Sequence, residues 1–260
     1  MEVNLKDFFL PLEEFEKELG LKWEVIYLEN KKEFGLEVLS LPEKKIHEIR
    51  IDPRIFKYAE IFLPALLQTL CRCKLTEMID PIFSVYEIIF PKGLPLKKEE
   101  ILTYVKYATQ YLEIWENDLR NFYWPEVTFL AHANFRIVLK NMKEKGVFDF
   151  FSKFSGILDF AIFLTEEKRY CLRELPSLSS LSSFLESLPE DLGLARSFIL
   201  EVSRFLETLP PLPHEREKAL RIIESFTPKY CQILKLPVLV YLEKERNRCY
   251  WKVEVIEGIV

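Results

Sequence analysis

Between residues 97 and 171, apolar and aromatic side chains return every three or four positions, and this periodicity constrains the fold more than any other feature of the chain. Ile101, Tyr104, Val105, Ala108, Tyr111, Leu112 and Trp115 share one helical face. A stripe of that width has to be buried against a neighbour. Trp124-Pro125 separates a second helix, residues 126–145, which Gly146 ends; proline suits a first helical turn and glycine a helix C-terminus. Two shorter helices, about 147–154 and 157–170, follow. With 260 residues, 49% of them apolar and 14% aromatic, the chain has material for a sizeable core, which excludes wholesale disorder.

The flanks read differently. Residues 12–19 make a short helix stopped by Gly20. Residues 23–29, 34–39 and 45–51 are strand-like, with a polar turn at Asn30-Lys31-Lys32, and a small antiparallel sheet is expected from them. Asp52-Pro53 opens a helical stretch over 54–79, which Pro64 should break or kink. Pro81 and then residues 91–95 bracket a short extended run over 83–90. Beyond the central helices, six of the eleven residues from Ser177 to Ser187 are serine, although Leu178, Leu181, Leu185 and Leu188 keep helical spacing. This segment reads equally as a linker or as a marginal amphipathic helix. Helices over 189–209 and 214–226 come next, then a β-hairpin with strands 237–242 and 249–255 around a charged turn. The fold class expected is α+β and predominantly helical. Three parts are expected: a body over residues 1–176, a serine-rich junction over 177–195, and a C-terminal part over 196–260.

Much chemistry is excluded by composition. The seven glycines stand apart, so neither a dinucleotide fingerprint nor a phosphate-binding loop is available. His47, His132 and His214 have no ligand spacing. Cys71 and Cys73 point about 200° apart on a helix and cannot jointly hold zinc. The mixed basic and acidic runs around Arg50 and Lys244, and a net charge of −5, give no footprint for nucleic acid. No run of about 18 apolar residues predicts a membrane span, and Glu2, Lys6 and Asp7 are wrong for a secretory signal. Five cysteines at irregular spacing read as free thiols of a cytoplasmic protein. Few Gln and Met beside abundant Lys, Glu and Pro fit a thermophile. Acidic pairs such as Glu99-Glu100 and Glu166-Glu167, with Glu116 and Asp118, read as solvated charge. No catalytic residue, metal ligand or cofactor is expected.

The order of strands, an Asp-Pro helix start, and a helix carrying Gln68, Thr69 and Arg72 is similar in layout to zincin metallopeptidases. In those enzymes the helix carries two histidines and a glutamate. With Gln68, Thr69 and Arg72 at the corresponding positions, the resemblance implies a degenerate scaffold without metal.

A second resemblance concerns the junction. Residues 1–195 hold 25 basic and 32 acidic residues, a balance of −7, and residues 196–260 hold 11 and 9, a balance of +2. An acidic body favours encounter with a basic protein. Between the two parts stands Leu192-Gly193-Leu194-Ala195-Arg196. The chain's size, its N-terminal body and the small-residue junction Gly193-Leu194-Ala195 together resemble CalpT-type anti-sigma target proteins of the CRISPR-associated Lon-SAVED protease system. The resemblance implies a non-catalytic regulator that holds a sigma factor, docks on the protease, and is cut at Leu194-Ala195-Arg196 during antiviral signalling. It also carries an alternative, a ribonuclease toxin similar to MazF, although the few strands here depart from that barrel.

Overall fold

The computed structural model describes residues 12–30, 35–84, 87–90, 96–172, 179–245 and 248–256. The readings made on residues 1–9, on Lys31 and Lys32, on 91–95, on Ser177 and Leu178, and on Arg246 and Asn247 lie outside them. The fold is α+β and mostly helical.

Helix α1 (Leu12–Leu19) ends at Gly20, which takes φ +61°, a conformation that suits glycine. Strands β1 (Glu24–Glu29), β2 (Leu36–Leu41) and β3 (Ile46–Ile51) form one sheet in the order β1-β3-β2. The sheet is mixed, not antiparallel as expected: β2 and β3 form a hairpin, while β1 runs parallel to β3. The reason lies in burial. The inward-facing His47, Ile49 and Ile51 of β3 are all fully buried, and a partner on each edge places that strand at the centre.

Asp52 caps a 3₁₀ turn, Pro53–Lys57, by accepting the Arg54 backbone N–H at 2.9 Å. Helix α2 (Ala59–Met78) then runs straight through Pro64. An interior proline costs about 3 kcal/mol. Here it is offset by the burial of Leu66, Leu67, Leu70, Cys71, Cys73 and Leu75, none of which is exposed. Of the run read as extended over 83–90, Phe83 belongs to a 3₁₀ turn, Pro81–Phe83, Ile88–Ile89 form strand β4, and residues 85 and 86 lie outside the described residues.

The central helices are α3 (Lys98–Thr109), α4 (Glu113–Tyr123), α5 (Pro125–Lys145) and α6 (Phe154–Arg169). Gly146 ends α5 at φ +63°. The segment 147–154 is a 3₁₀ turn, Asp149–Ser152, instead of a helix. Ser180 caps the short helix α7 (Leu181–Glu186), so the described part of the serine segment is packed and not free. Its Leu181, Phe184 and Leu185 are buried. A 3₁₀ turn, Glu190–Leu192, leads into α8 (Gly193–Leu206). His214 sits on a bend and not on a helix, and α9 (Arg216–Ile233) continues seven residues past Phe226, through Pro228. Tyr230 and Cys231, both fully buried, hold that last stretch.

Strands β5 (Val238–Glu245) and β6 (Arg248–Val255) pair from Val238↔Val255 to Glu245↔Arg248. The charged residues 243–245, read as turn, therefore extend the strand. β6 also takes β4 in parallel on its other side. No helix among the described residues is long and apolar enough to cross a membrane.

Two clusters make up the interior. One joins the sheet, α1 and the first part of α2 to Trp124 and Val127; the other runs from Leu75 to Val253 and contains α3, α6, α8, α9 and the hairpin. Buried residues from Ile199 to Val253 thus share one cluster with buried residues from Leu75 to Leu188.

Candidate functional site

The residues singled out on α2 converge, though not on a metal. Gln68 and Arg72 are one turn apart and therefore share a helix face. Arg72 donates to Glu116 of α4 through Nε at 2.7 Å and Nη2 at 3.0 Å, and Gln68 Nε2 donates to the same carboxylate at 3.2 Å. Thr69 instead turns its hydroxyl back to the Ala65 carbonyl at 2.8 Å. Glu116 is buried, and the two-pronged guanidinium contact fixes the orientation of its carboxyl group.

One turn earlier, Glu113 lines the same cleft, a space of about 500 Å³ bounded by β2, the 3₁₀ turn after α2, α3 and α4. Burial, reinforced by the charge of Glu116, pushes the Glu113 carboxyl up to about 8. Asp159, which accepts the Gln110 side-chain amide at 2.7 Å, is raised by burial to about 6. The cleft therefore brings a carboxyl that burial holds toward its protonated form, Glu113, within one helical turn of a second carboxyl, Glu116.

From Glu116 a polar seam continues into the helical body. Asn117 donates to Glu166 of α6, and His132 Nε2 of α5 meets the other oxygen of that carboxylate at 3.1 Å. Arg136, one turn along α5, donates to Glu167 and to the Leu172 carbonyl, both at 2.7 Å. Glu167 in turn accepts the Leu181 backbone N–H of α7 at 2.8 Å. All of these side chains are buried, yet His132 Nδ1, Asn117 Oδ1, Glu167 Oε1 and Arg136 Nε and Nη1 have no partner. Burying an unpaired polar group costs about 1–3 kcal/mol, so the seam is expensive to keep.

The histidines are dispersed. His47 stacks on Trp23 and lies between Ser40 Oγ at 2.6 Å and Glu77 at 3.3 Å. His132 belongs to the seam, and His214 is exposed. Cys71 and Cys73 are buried, all five thiols are unpaired, and burial raises the Cys71 and Cys73 thiols. Among the described residues no group of three His, Cys, Asp or Glu side chains could hold a metal ion.

The junction lies elsewhere on the surface. Leu194, Ala195 and Arg196 occupy the first turn of α8, where Leu194 is 88% exposed and its two successors are half-buried.

No family model, curated protein or solved structure matches the chain.

The seam escaped the sequence reading because Glu116, Glu166 and Glu167 looked like solvated charge. A signal was nonetheless present. Glu113, Glu116, Asn117 and Arg120 recur at helical spacing on α4, and Thr128, His132 and Arg136 do so on α5. A polar stripe in a helix that also has an apolar face marks a polar interior as well as a wet exterior.

Proposed function

We propose that the chain is a cytoplasmic regulatory protein that acts by contact with other proteins, in the way its resemblance to CalpT-type anti-sigma targets implies. The observation that supports this reading is an apolar ridge facing outward. Phe122 at the end of α4 is 78% exposed, and Phe129, Ala133 and Ile137 follow at four-residue spacing on the outer side of α5, with Phe129 43% and Ile137 45% exposed. A ridge of that pattern fits the apolar face of an amphipathic helix. The acidic excess of the first 195 residues favours a partner with a basic rim, and a sigma factor, which itself meets DNA, has that character. Accessibility of the junction supports the other half of the reading: the first turn of a helix frays most easily, and Leu194 stands clear of it.

Titration of a sigma factor from the same cell against the intact chain tests the proposal. Replacing Phe122, Phe129 and Ile137 together with serine should weaken binding at least 10-fold without lowering Tm. Unchanged affinity would remove the ridge from the reading, and the absence of any complex would remove the anti-sigma role.

A second reading is favoured by the cleft. Glu113, its carboxyl pushed up to about 8 by burial and one turn from Glu116, supports general acid–base hydrolysis, in line with a ribonuclease-like or peptidase-like activity. Incubation with RNA, and separately with a peptide and zinc, decides between the two. Turnover that disappears in Glu113→Gln would replace the contact reading.

A further inference from the structure

We propose that the pocket between α5 and the serine-rich helix α7 binds a tetrahedral oxyanion: phosphate, free or as the terminal group of a small phosphomonoester. The pocket measures about 190 Å³. That is below the roughly 300–1,000 Å³ of sites for drug-sized molecules and suits an ion with little attached to it.

Its chemistry is one-sided. Arg136, Lys140 and Lys143 line it from α5, at spacings of four and three that put them on one helix face. Ser179, Ser183 and Ser187 line it from the other side, again four residues apart. Arg136 carries most of the argument. It is 3% exposed, its Nη2 is committed to Glu167 and the Leu172 carbonyl, and its Nε and Nη1 are buried donors without an acceptor. A guanidinium with three N–H donors on two nitrogens to spare has the fork that a planar or tetrahedral oxyanion accepts. Ser183 shares its hydroxyl with Ser180 at 2.9 Å and keeps capacity for a further bond. Glu167 pairs with Arg136 and Glu144 lies 3.9 Å from Lys140, while Lys143 makes no ion pair among the described residues. An anion seated there would tie α7 to α5 just ahead of the junction.

The test uses the whole chain. Sodium phosphate and glycerol phosphate are titrated separately by calorimetry and by thermal unfolding, against sodium chloride at matched ionic strength. The variant is Lys140→Ala with Lys143→Ala, two exposed side chains whose loss leaves the core untouched. Saturable binding and a rise in Tm beyond that in chloride are expected for the unaltered chain, with affinity at least 10-fold lower in the double variant. Binding of phosphate alone assigns the free ion, and equal or tighter binding of glycerol phosphate assigns a phosphorylated small molecule. A phosphate response no larger than that to chloride, or one of the same size in the double variant, overturns the site.

Discussion

Glu113 and Arg72 illustrate how much one side chain decides here. A carboxyl raised to about 8 from an ordinary value near 4.5 binds its proton more tightly in the folded chain than in the unfolded one. Stability is therefore fullest below about pH 4.5 as far as this group is concerned, and it declines as pH rises toward 8. Asp159, raised to about 6, adds to the same decline over its own lower range. Glu113→Gln should flatten the fall in Tm between pH 5 and 8 and raise Tm at pH 8, as read by thermal scans across that range. Arg72 contributes through pairing: two of its N–H groups bond the buried Glu116 carboxyl. Removing one partner of a buried pair costs about 3–5 kcal/mol, and the partial exposure of Arg72, 28% of its side chain, reduces the expectation for Arg72→Ala to about 2 kcal/mol. Chemical denaturation with an unchanged m-value would report it.

At the scale of elements, two glycines behave oppositely. Gly193 opens α8 with ordinary helical angles, φ −57° and ψ −36°, and an added Cβ would meet nothing within 4 Å. Gly193→Ala should stabilise the first turn of α8 by about 0.5–1 kcal/mol and slow any cleavage after Ala195, measurable as the rate of appearance of the cut fragment. Gly156, in the first turn of α6, has no such room: a Cβ there would lie 2.2 Å from the Phe150 carbonyl oxygen. Gly156→Ala should therefore shift α6 against the preceding 3₁₀ turn and cost about 1–3 kcal/mol, seen as a lower Tm. The ends of these elements were legible because their signals are local: Gly20, Gly146 and the Asp52-Pro53 start all act within one turn of themselves. The continuation of α2 through Pro64 and of α9 past Phe226 was not legible for the complementary reason, since the burial that carries them comes from residues distant in sequence.

Across the whole molecule, α2 is the spine. Its Leu66, Leu67, Leu70, Cys71 and Cys73 belong to the core under the first sheet, and its Leu75 to the core of the helical body. The C-terminal part enters that second core through Ile199, Val202 and Leu206 of α8, through α9, and through β5 and β6. This has a consequence for processing. A cut between Ala195 and Arg196 would leave both pieces gripped by one interior, so the nicked chain should elute as a single species under native conditions and separate only on denaturation. Spontaneous separation of the pieces would contradict the shared core, and release of a bound partner would then follow from parting of the chain, not from a local change at the junction.

The sequence by itself determined where most of the long helices lie, several of their ends, and that the chain is helix-dominated with strands near both ends. Those properties follow from periodicity and from residues acting on their immediate neighbours. Tertiary structure alone decided that β1 lies parallel to β3, that β4 joins the C-terminal hairpin, that the serine-rich helix packs against the body, and that polar side chains scattered from Gln68 to Glu167 find their partners across helices. The physical reason is range: a helix fixes which side chains share its face, but only the packing of helix on helix determines whether a polar face meets water or another polar face.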